Sequence, residues 1–271
     1  MTMKTCNFAF GMMLIFGILL TACNKENPSP DALEDLVTSE DLTTAYNLIQ
    51  DTEDQVDELI ETRGADNCPI VIVVPDDGSF PRTVTIDYGI EGCEGPNGRI
   101  RKGQLVIEQS DALINENAIR RVKPVNFSID DVQIAGLKTL TNQGTDNNNN
   151  VTFNRLANVT LTFPNGKSST WDGDHTLTQT AGGTTISLLD NEYQITGNSS
   201  GINRNGTPYA VDIIEPLVKE KLCPWVISGV TEITVNENLR SIDYGDGVCD
   251  RKATVTLQNG ITRDILIWRW W

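Results

Sequence analysis

The chain has 271 residues, and its 37 acidic side chains outnumber its 21 basic ones, which gives a formal net charge of −16. A field of this sign repels nucleic acids and bare anionic lipid, so we expect no nucleic acid partner. The single histidine excludes metal centres built from several histidines, and no glycine-rich phosphate loop is present, so we expect no metal and no cofactor.

The first 22 residues have the composition of an export signal. Lys4 precedes an apolar run at 8–20 that is too short for a stable membrane span. Positions 20–23 read L-T-A-C, which resembles the lipobox of bacterial lipoproteins. Residues 1–22 are therefore predicted to be a lipoprotein signal peptide, and Cys23 is predicted to carry acyl chains, palmitate among them. The alternative is an ordinary secretory signal followed by an incidental cysteine.

Residues 23–38 are predicted to form a polar tether, because prolines stand among small polar residues near its start. Burying acyl chains contributes about 0.8 kcal/mol per methylene, so several chains would hold the protein on a membrane. The expected location is the cell outer membrane, with the protein facing either the cell surface or the periplasm.

The segment 39–63 is predicted to be an acidic amphipathic helix that begins at Ser39 and ends before Gly64. Apolar residues recur at helical spacing: Leu42, Ala45, Tyr46, Ile49, Val56, Leu59 and Ile60. The other face carries acidic residues with no basic partner on the helix: Asp51, Glu53, Asp54, Asp57, Glu58 and Glu61. This face is interpreted either as a docking surface for a cationic partner or as a solvated face.

One cassette occurs twice, at 68–109 and at 223–267. Each copy opens with Cys-Pro, continues through Ile-Asp-Tyr-Gly and ends its first part with a second cysteine, at separations of 25 and 26 residues. In an oxidising compartment these four cysteines are expected to form disulfides. The repeated spacing favours a bond within each copy, and cross-pairing between the copies is the alternative. The cysteines are Cys68, Cys93, Cys223 and Cys249.

Residues 64–271 alternate apolar and polar positions, as β-strands do. Asn-Gly pairs at 97–98, 165–166 and 259–260 stand next to or between such runs and predict hairpin turns. Only 217–222 suggests a helical turn. The predicted fold is mainly β, either an antiparallel sandwich or a long twisted sheet folded on itself, preceded by one amphipathic N-terminal helix.

Few side chains are candidates for chemistry, and we name no catalytic residue. His175 lies in what reads as a turn at a strand start. Asp87 and Asp243 occupy equivalent cassette positions and could form the carboxylate pair of a glycoside hydrolase, or could accept hydrogen bonds from turn amides. Trp268 and Trp270 share one face of a predicted last strand, where they would contact a ligand or fill the core.

The cassette motifs resemble those of a group of Bacteroidota lipoproteins. The second copy shows them at 223–225 and 242–250, and the first at 86–89 and 98–103. The group carries a Cys-x-Trp or Cys-Pro opening, a (V/I)-D-(F/Y)-G block, a closing cysteine and an Arg-Lys-Gly strand start. Since the group has no assigned activity, the resemblance implies location and β content and no catalytic residue.

These observations favour a membrane-anchored exported lipoprotein with a non-catalytic binding or structural role at the cell envelope. A glycan and an outer-membrane protein are the partners we consider. A carboxylate-dependent glycoside hydrolase using Asp87 and Asp243 is the alternative function.

Overall fold

The computed structural model describes residues 30–62, 68–95, 98–183 and 190–267. Within them the chain forms one helix, α1 (Pro30–Thr62), and fourteen strands. The strands are β1 (Ile70–Val74), β2 (Arg82–Asp87), β3 (Cys93–Glu94), β4 (Ile100–Gln109), β5 (Ile119–Ile129), β6 (Val132–Thr145), β7 (Val151–Thr162), β8 (Ser168–Ala181), β9 (Glu192–Ile202), β10 (Pro208–Glu220), β11 (Ser228–Val235), β12 (Asn238–Asp246), β13 (Lys252–Thr256) and β14 (Thr262–Leu266).

All fourteen strands belong to one open antiparallel sheet. Its order follows the chain from β1 and β2 through β4 to β14, and the two-residue β3 pairs beside β4. This meander results from short connections, which favour pairing of each strand with the next one. The prediction of a mainly β fold is confirmed in its long-sheet form, and no sandwich forms among the described residues.

Two of the predicted Asn-Gly turns are present as hairpin turns. Gly166 between β7 and β8 has φ +81°, and Gly260 between β13 and β14 has φ +78°, a region that favours glycine. In each turn the asparagine side chain accepts a hydrogen bond, at 3.0 Å, from the backbone amide of the residue that follows the glycine. Asn97 lies outside the described residues. The helical turn suggested at 217–222 is wrong, because β10 continues to Glu220.

The helix is longer at its start than the sequence indicated. It begins at Pro30, so positions 30–38 are helical and do not belong to an extended tether. A proline is well tolerated in a first helical turn, where its missing N–H would have no partner within the helix. Ser39 is not an N-cap, because it lies inside the helix and its carbonyl accepts the hydroxyl of Thr43. Positions 23–29 and Gly64 lie outside the described residues.

The sheet curves around the middle of α1 and buries residues 38–50 on nearly every side. Side chains of α1 contact residues from β4 through β8, from β10 and from the segment that follows β10. Leu42, Leu48 and Val56 are fully buried, and so are the polar Thr38 and Thr43 on other faces of the helix. A helix buried all round is usually apolar, so the polar residues of α1 need partners on the inner face of the sheet.

Both predicted disulfides are present, Cys68–Cys93 and Cys223–Cys249, each with a Cα–Cα distance of 5.7 Å. The first ties the residues before β1 to β3, and the second ties the residues before β11 to those after β12. Pairing within each copy is confirmed, and pairing between the copies does not occur.

Candidate functional site

Four acidic side chains of α1 meet basic side chains that the inner face of the sheet supplies. Each of the strands β4, β5, β6, β7 and β10 contributes one of these basic residues. The pairs are Arg101–Asp51 at 2.7 Å, Arg120–Asp57 at 2.7 Å, Lys138–Glu53 at 3.1 Å, Arg155–Glu53 at 3.2 Å and Lys219–Asp54 at 3.2 Å. We call this set the ion-pair ring.

Residues next to the strands extend the ion-pair ring. Lys221 bridges Asp54 and Asp57 at 3.0 and 3.2 Å, and Arg99 contacts Asp51 at 2.9 Å. The interpretation of this helix face as solvated is therefore wrong for Asp51, Glu53, Asp54 and Asp57. It is not a free docking surface either, because the cationic partner is the chain's own sheet. Glu58 and Glu61, near the end of α1, are exposed.

Glu53 is the most enclosed of the four acidic residues in the ion-pair ring, with 6% of its side chain exposed. Burial alone would raise its pKa, but the attraction of Lys138, Arg155 and Arg120 outweighs burial and holds the pKa below its usual range. Glu53 is therefore ionised at neutral pH. Removing it would leave two buried cations without a counter-charge.

His175 lies on β8 between the ion-pair ring and the apolar core. Arg155 Nη2 lies 3.3 Å from its Nδ1, and Tyr46 Oη lies 3.0 Å from its Nε2. Because arginine can only donate, Nδ1 accepts, and Nε2–H donates to the tyrosine oxygen. Burial, and secondarily Arg155, lowers the pKa of His175 to about 2, so the ring is neutral and ill suited to serve as a general base at neutral pH.

The stability of the protein should fall by about 2 kcal/mol between pH 7 and pH 5 because of His175 alone. The unfolded chain binds a proton on histidine near pH 6.5, whereas the folded chain does not, so stability is lost as the pH falls below that value. The chain has one histidine, so a single substitution removes this contribution. Urea denaturation at pH 7, 6 and 5 measures it. His175→Gln should lose most of this pH dependence, and a wild-type stability that stays flat would contradict the assignment.

A cavity of about 470 Å³ lies beside the C-terminal half of α1, between the helix and the inner face of the sheet. Pockets that bind small molecules have volumes of about 300–1,000 Å³, so this cavity is large enough for one. Ala112, Leu113 and Ile114, which connect β4 to β5, line one side, and Gly182 and Gly183 line another. We take this cavity as the candidate functional site.

The sheet wall of the cavity is a row of inward-facing side chains that crosses six strands. The row reads, from β4 to β9, Gln109, Arg120, Leu140, Phe153, Leu177, Gln179 and Tyr193. Gln109 lies directly opposite Arg120, and Phe153 lies opposite Leu177 in the strand register. The row is therefore polar at both ends and apolar in the middle.

Hydrogen bonds orient the polar ends of this row. The side-chain carbonyl oxygen of Gln109 accepts a hydrogen bond from Arg82 Nε at 2.7 Å. The amide NH₂ of Gln109 has no partner among the described residues. At the other end Gln179 donates to Asn191 at 3.0 Å, and Asn191 donates to the hydroxyl of Tyr193 at 3.4 Å. Burial, with Asp57 nearby, raises the pKa of Tyr193 to about 12, so this hydroxyl keeps its proton.

Asp87 and Asp243 do not come together in the strand pairing of the sheet. Asp87 lies opposite Ile70 and Gln104, and Asp243 lies opposite Val230 and Thr254. Each carboxylate accepts a hydrogen bond, at 2.8 Å, from the backbone amide of the glycine two residues later in the chain. Both therefore have the turn-amide role that was the second interpretation of this pair.

Three of the residues singled out in the sequence lie outside the described residues: Cys23, Trp268 and Trp270. Neither the ion-pair ring nor the cavity was predicted from the sequence. A signal for the ring exists in β7, where Arg155 lies on the same strand face as the buried Phe153, Ala157 and Val159 and so occupies a core position. No comparable signal points to the cavity, because its wall combines residues from six strands.

No protein-family model matches the chain, and no curated protein or solved structure shows significant similarity to it. Among the residues that the structure describes, no helix has the length and apolar character needed to cross a membrane. The same residues contain no group of three or more His, Cys, Asp or Glu side chains placed to hold a metal ion.

Proposed function

We propose that this protein is an exported lipoprotein that binds a small ligand in the cavity between α1 and the sheet, without catalysing a reaction. The single observation that carries the proposal is the cavity itself, with its apolar centre and its polar ends. Lipidation at Cys23 would place the site at the outer membrane, on the cell surface or facing the periplasm. A glycan is the ligand class that we propose, and an outer-membrane protein is the alternative partner.

Two further observations support this proposal. Disulfides persist in oxidising compartments, so the two cystines agree with export. The groups most often used in nucleophilic and acid–base catalysis are engaged elsewhere: the four described cysteines are disulfide-bonded, and His175 is buried and neutral. These contacts favour binding over cysteine- or histidine-dependent catalysis.

The experiment uses protein expressed from the full sequence and extracted from bacterial outer membranes with detergent. Mass spectrometry of this preparation should show acyl chains on Cys23. Saturation-transfer NMR then tests binding of decanoate, as a single-chain amphiphile, and of maltotetraose, as a neutral oligosaccharide. We expect at least one of them to bind the wild type and not to bind Leu177→Trp, whose indole would fill the apolar centre of the cavity.

Leu156→Trp is the matched control, because Leu156 is 47% exposed on the outer side of β7. It should bind as the wild type does. Circular dichroism verifies that each variant is folded, and Val151→Trp, at a half-buried position of the cavity wall, replaces Leu177→Trp if that variant does not fold. Binding of neither probe, or equal binding by wild type and both cavity variants, would overturn the proposed site. An unmodified Cys23 would overturn the proposed anchor.

A further inference from the structure

The strand β1 forms one edge of the sheet. It pairs with β2 along its whole length without a register shift, and no other strand pairs with it among the described residues. In an antiparallel pair each strand directs alternate N–H and C=O groups toward its neighbour and the others away from it. The outward groups of β1 can therefore form hydrogen bonds with one more extended segment.

The side chains of β1 are all aliphatic and lie in two environments. Val71 and Val73 pack against the core on the inner face of the sheet. On the outer face Ile70, Ile72 and Val74 are 52–62% exposed. Branched aliphatic side chains favour the extended conformation, so β1 keeps its strand geometry at the edge. The exposed row would also give an added strand an apolar neighbour.

The two edges of the sheet differ in how well they are protected. Arg263 and Asp264 are exposed in the middle of β14, the strand at the other edge, and charged side chains there discourage pairing with another chain. No residue of β1 is charged. Pro69 and Pro75, which lack an N–H, stand on either side of β1 and limit the free edge to its 5 residues. The β1 edge therefore suits a short partner strand.

The charges around β1 indicate which kind of segment would bind. The two aspartates at 76–77 are exposed directly after β1. Glu91 is exposed near its start, where the disulfide Cys68–Cys93 joins the β2–β3 connection to the residues before β1. On β1, β2 and the connections that follow each of them, the only cation is Arg82, which donates to Gln109. Acidic residues therefore flank the free edge at both ends.

A second copy of the chain does not match this charge pattern. Antiparallel pairing of two β1 strands would place the aspartates at 76–77 of one copy beside Glu91 of the other. Each copy also carries a net charge of −16, so the two would repel one another. A segment with basic residues on both sides of its strand is the complementary partner.

We propose that β1 is an interaction surface that pairs with an extended segment of another protein, aliphatic at alternate positions and basic at both ends. In this mode of recognition the main-chain hydrogen bonds supply affinity, and the alternate side chains and the flanking charges supply specificity. The inference goes beyond the proposed function, because it uses a different surface and does not require a ligand in the cavity.

Fluorescence anisotropy with three labelled peptides tests the proposal on full-length protein in non-ionic detergent and low salt. The peptides are K-K-V-T-V-T-V-K-K, its variant with glutamate in place of every lysine, and the lysine peptide with alternate backbone amides N-methylated. We expect the lysine peptide to bind at least about tenfold more tightly than the glutamate peptide. The N-methylated peptide should not bind, because it keeps the charge and lacks the donors that a strand needs.

Ile72→Lys places a positive charge in the exposed row and should weaken binding of the lysine peptide at least about tenfold. Leu156→Lys is the matched control, since Leu156 is 47% exposed on β7, which is paired on both sides. It makes the same change in net charge and should bind as the wild type does. Circular dichroism verifies folding, and Val74→Lys replaces Ile72→Lys if that variant does not fold.

Four results would overturn the proposal: no binding of the lysine peptide, equal binding of its N-methylated form, equal binding by Ile72→Lys, or a dimer in sedimentation that Ile72→Lys abolishes. The last would show that a second copy occupies the edge. The cavity variant Leu177→Trp should bind the lysine peptide as the wild type does, which separates this test from that of the proposed function. Loss of peptide binding in Leu177→Trp would place the peptide in the cavity and refute the assignment to β1.

Discussion

Replacing Glu53 with leucine is expected to lower the free energy of unfolding by about 3–5 kcal/mol. The change removes a carboxylate that pairs with Lys138 at 3.1 Å and with Arg155 at 3.2 Å, and both cations are almost fully buried. Burial, with Arg120 and Arg155 nearby, already lowers the pKa of Lys138 to about 8, so this lysine can lose its proton. Arg155 cannot, and its charge would remain buried without a counter-charge. Urea denaturation at pH 7 measures the effect.

Lys102→Met provides the control for Glu53→Leu. Lys102 pairs with Asp131 at 2.9 Å, but the two side chains are 37% and 69% exposed. Exposed ion pairs contribute about 0–1 kcal/mol, so this substitution should cost at most that much. The importance assigned to the ion-pair ring would be refuted if Glu53→Leu cost no more than Lys102→Met.

Replacing Cys223 and Cys249 together with alanine is expected to cost about 3 kcal/mol. The disulfide closes a loop with a sequence separation of 26, and loops of this size stabilise mainly by restricting the unfolded chain. The pair Cys68 and Cys93 closes a loop with a separation of 25, so its double alanine variant should cost nearly the same. Chemical denaturation of both variants gives the comparison. Costs that differ by more than about 2 kcal/mol would show that loop length is not the main cause.

The local features of this fold could be predicted from the sequence because their signals lie within a few residues. The turns at Gly166 and Gly260 follow from Asn-Gly between alternating runs, since few other residues tolerate that backbone conformation. The pairing of Cys223 with Cys249 follows from a cassette that occurs twice. The start of α1 was misplaced because Ser39 is a good N-cap residue, whereas Pro30 is an equally acceptable first-turn residue.

The ion-pair ring could not be predicted because its partners are distant in sequence. Arg101 lies 50 residues from Asp51, and Lys221 lies 167 residues from Asp54. Nothing local distinguishes an acidic helix face that faces water from one that faces a basic strand. Lys219 is a buried residue of β10 within 217–222, the stretch for which the sequence suggested a helical turn. The cavity depends on the same long-range packing and therefore could not be predicted from the sequence either.

The agreement between strand order and chain order has a consequence for how the protein is made. A chain that emerges N-terminus first can add each strand to the one before it, so the sheet can grow during synthesis with mostly short-range contacts. The helix has no such advantage, because Asp54 acquires its partners only when Lys219 and Lys221 have emerged. We infer that α1, which precedes all fourteen strands in the chain, is the last of these elements to reach its final environment.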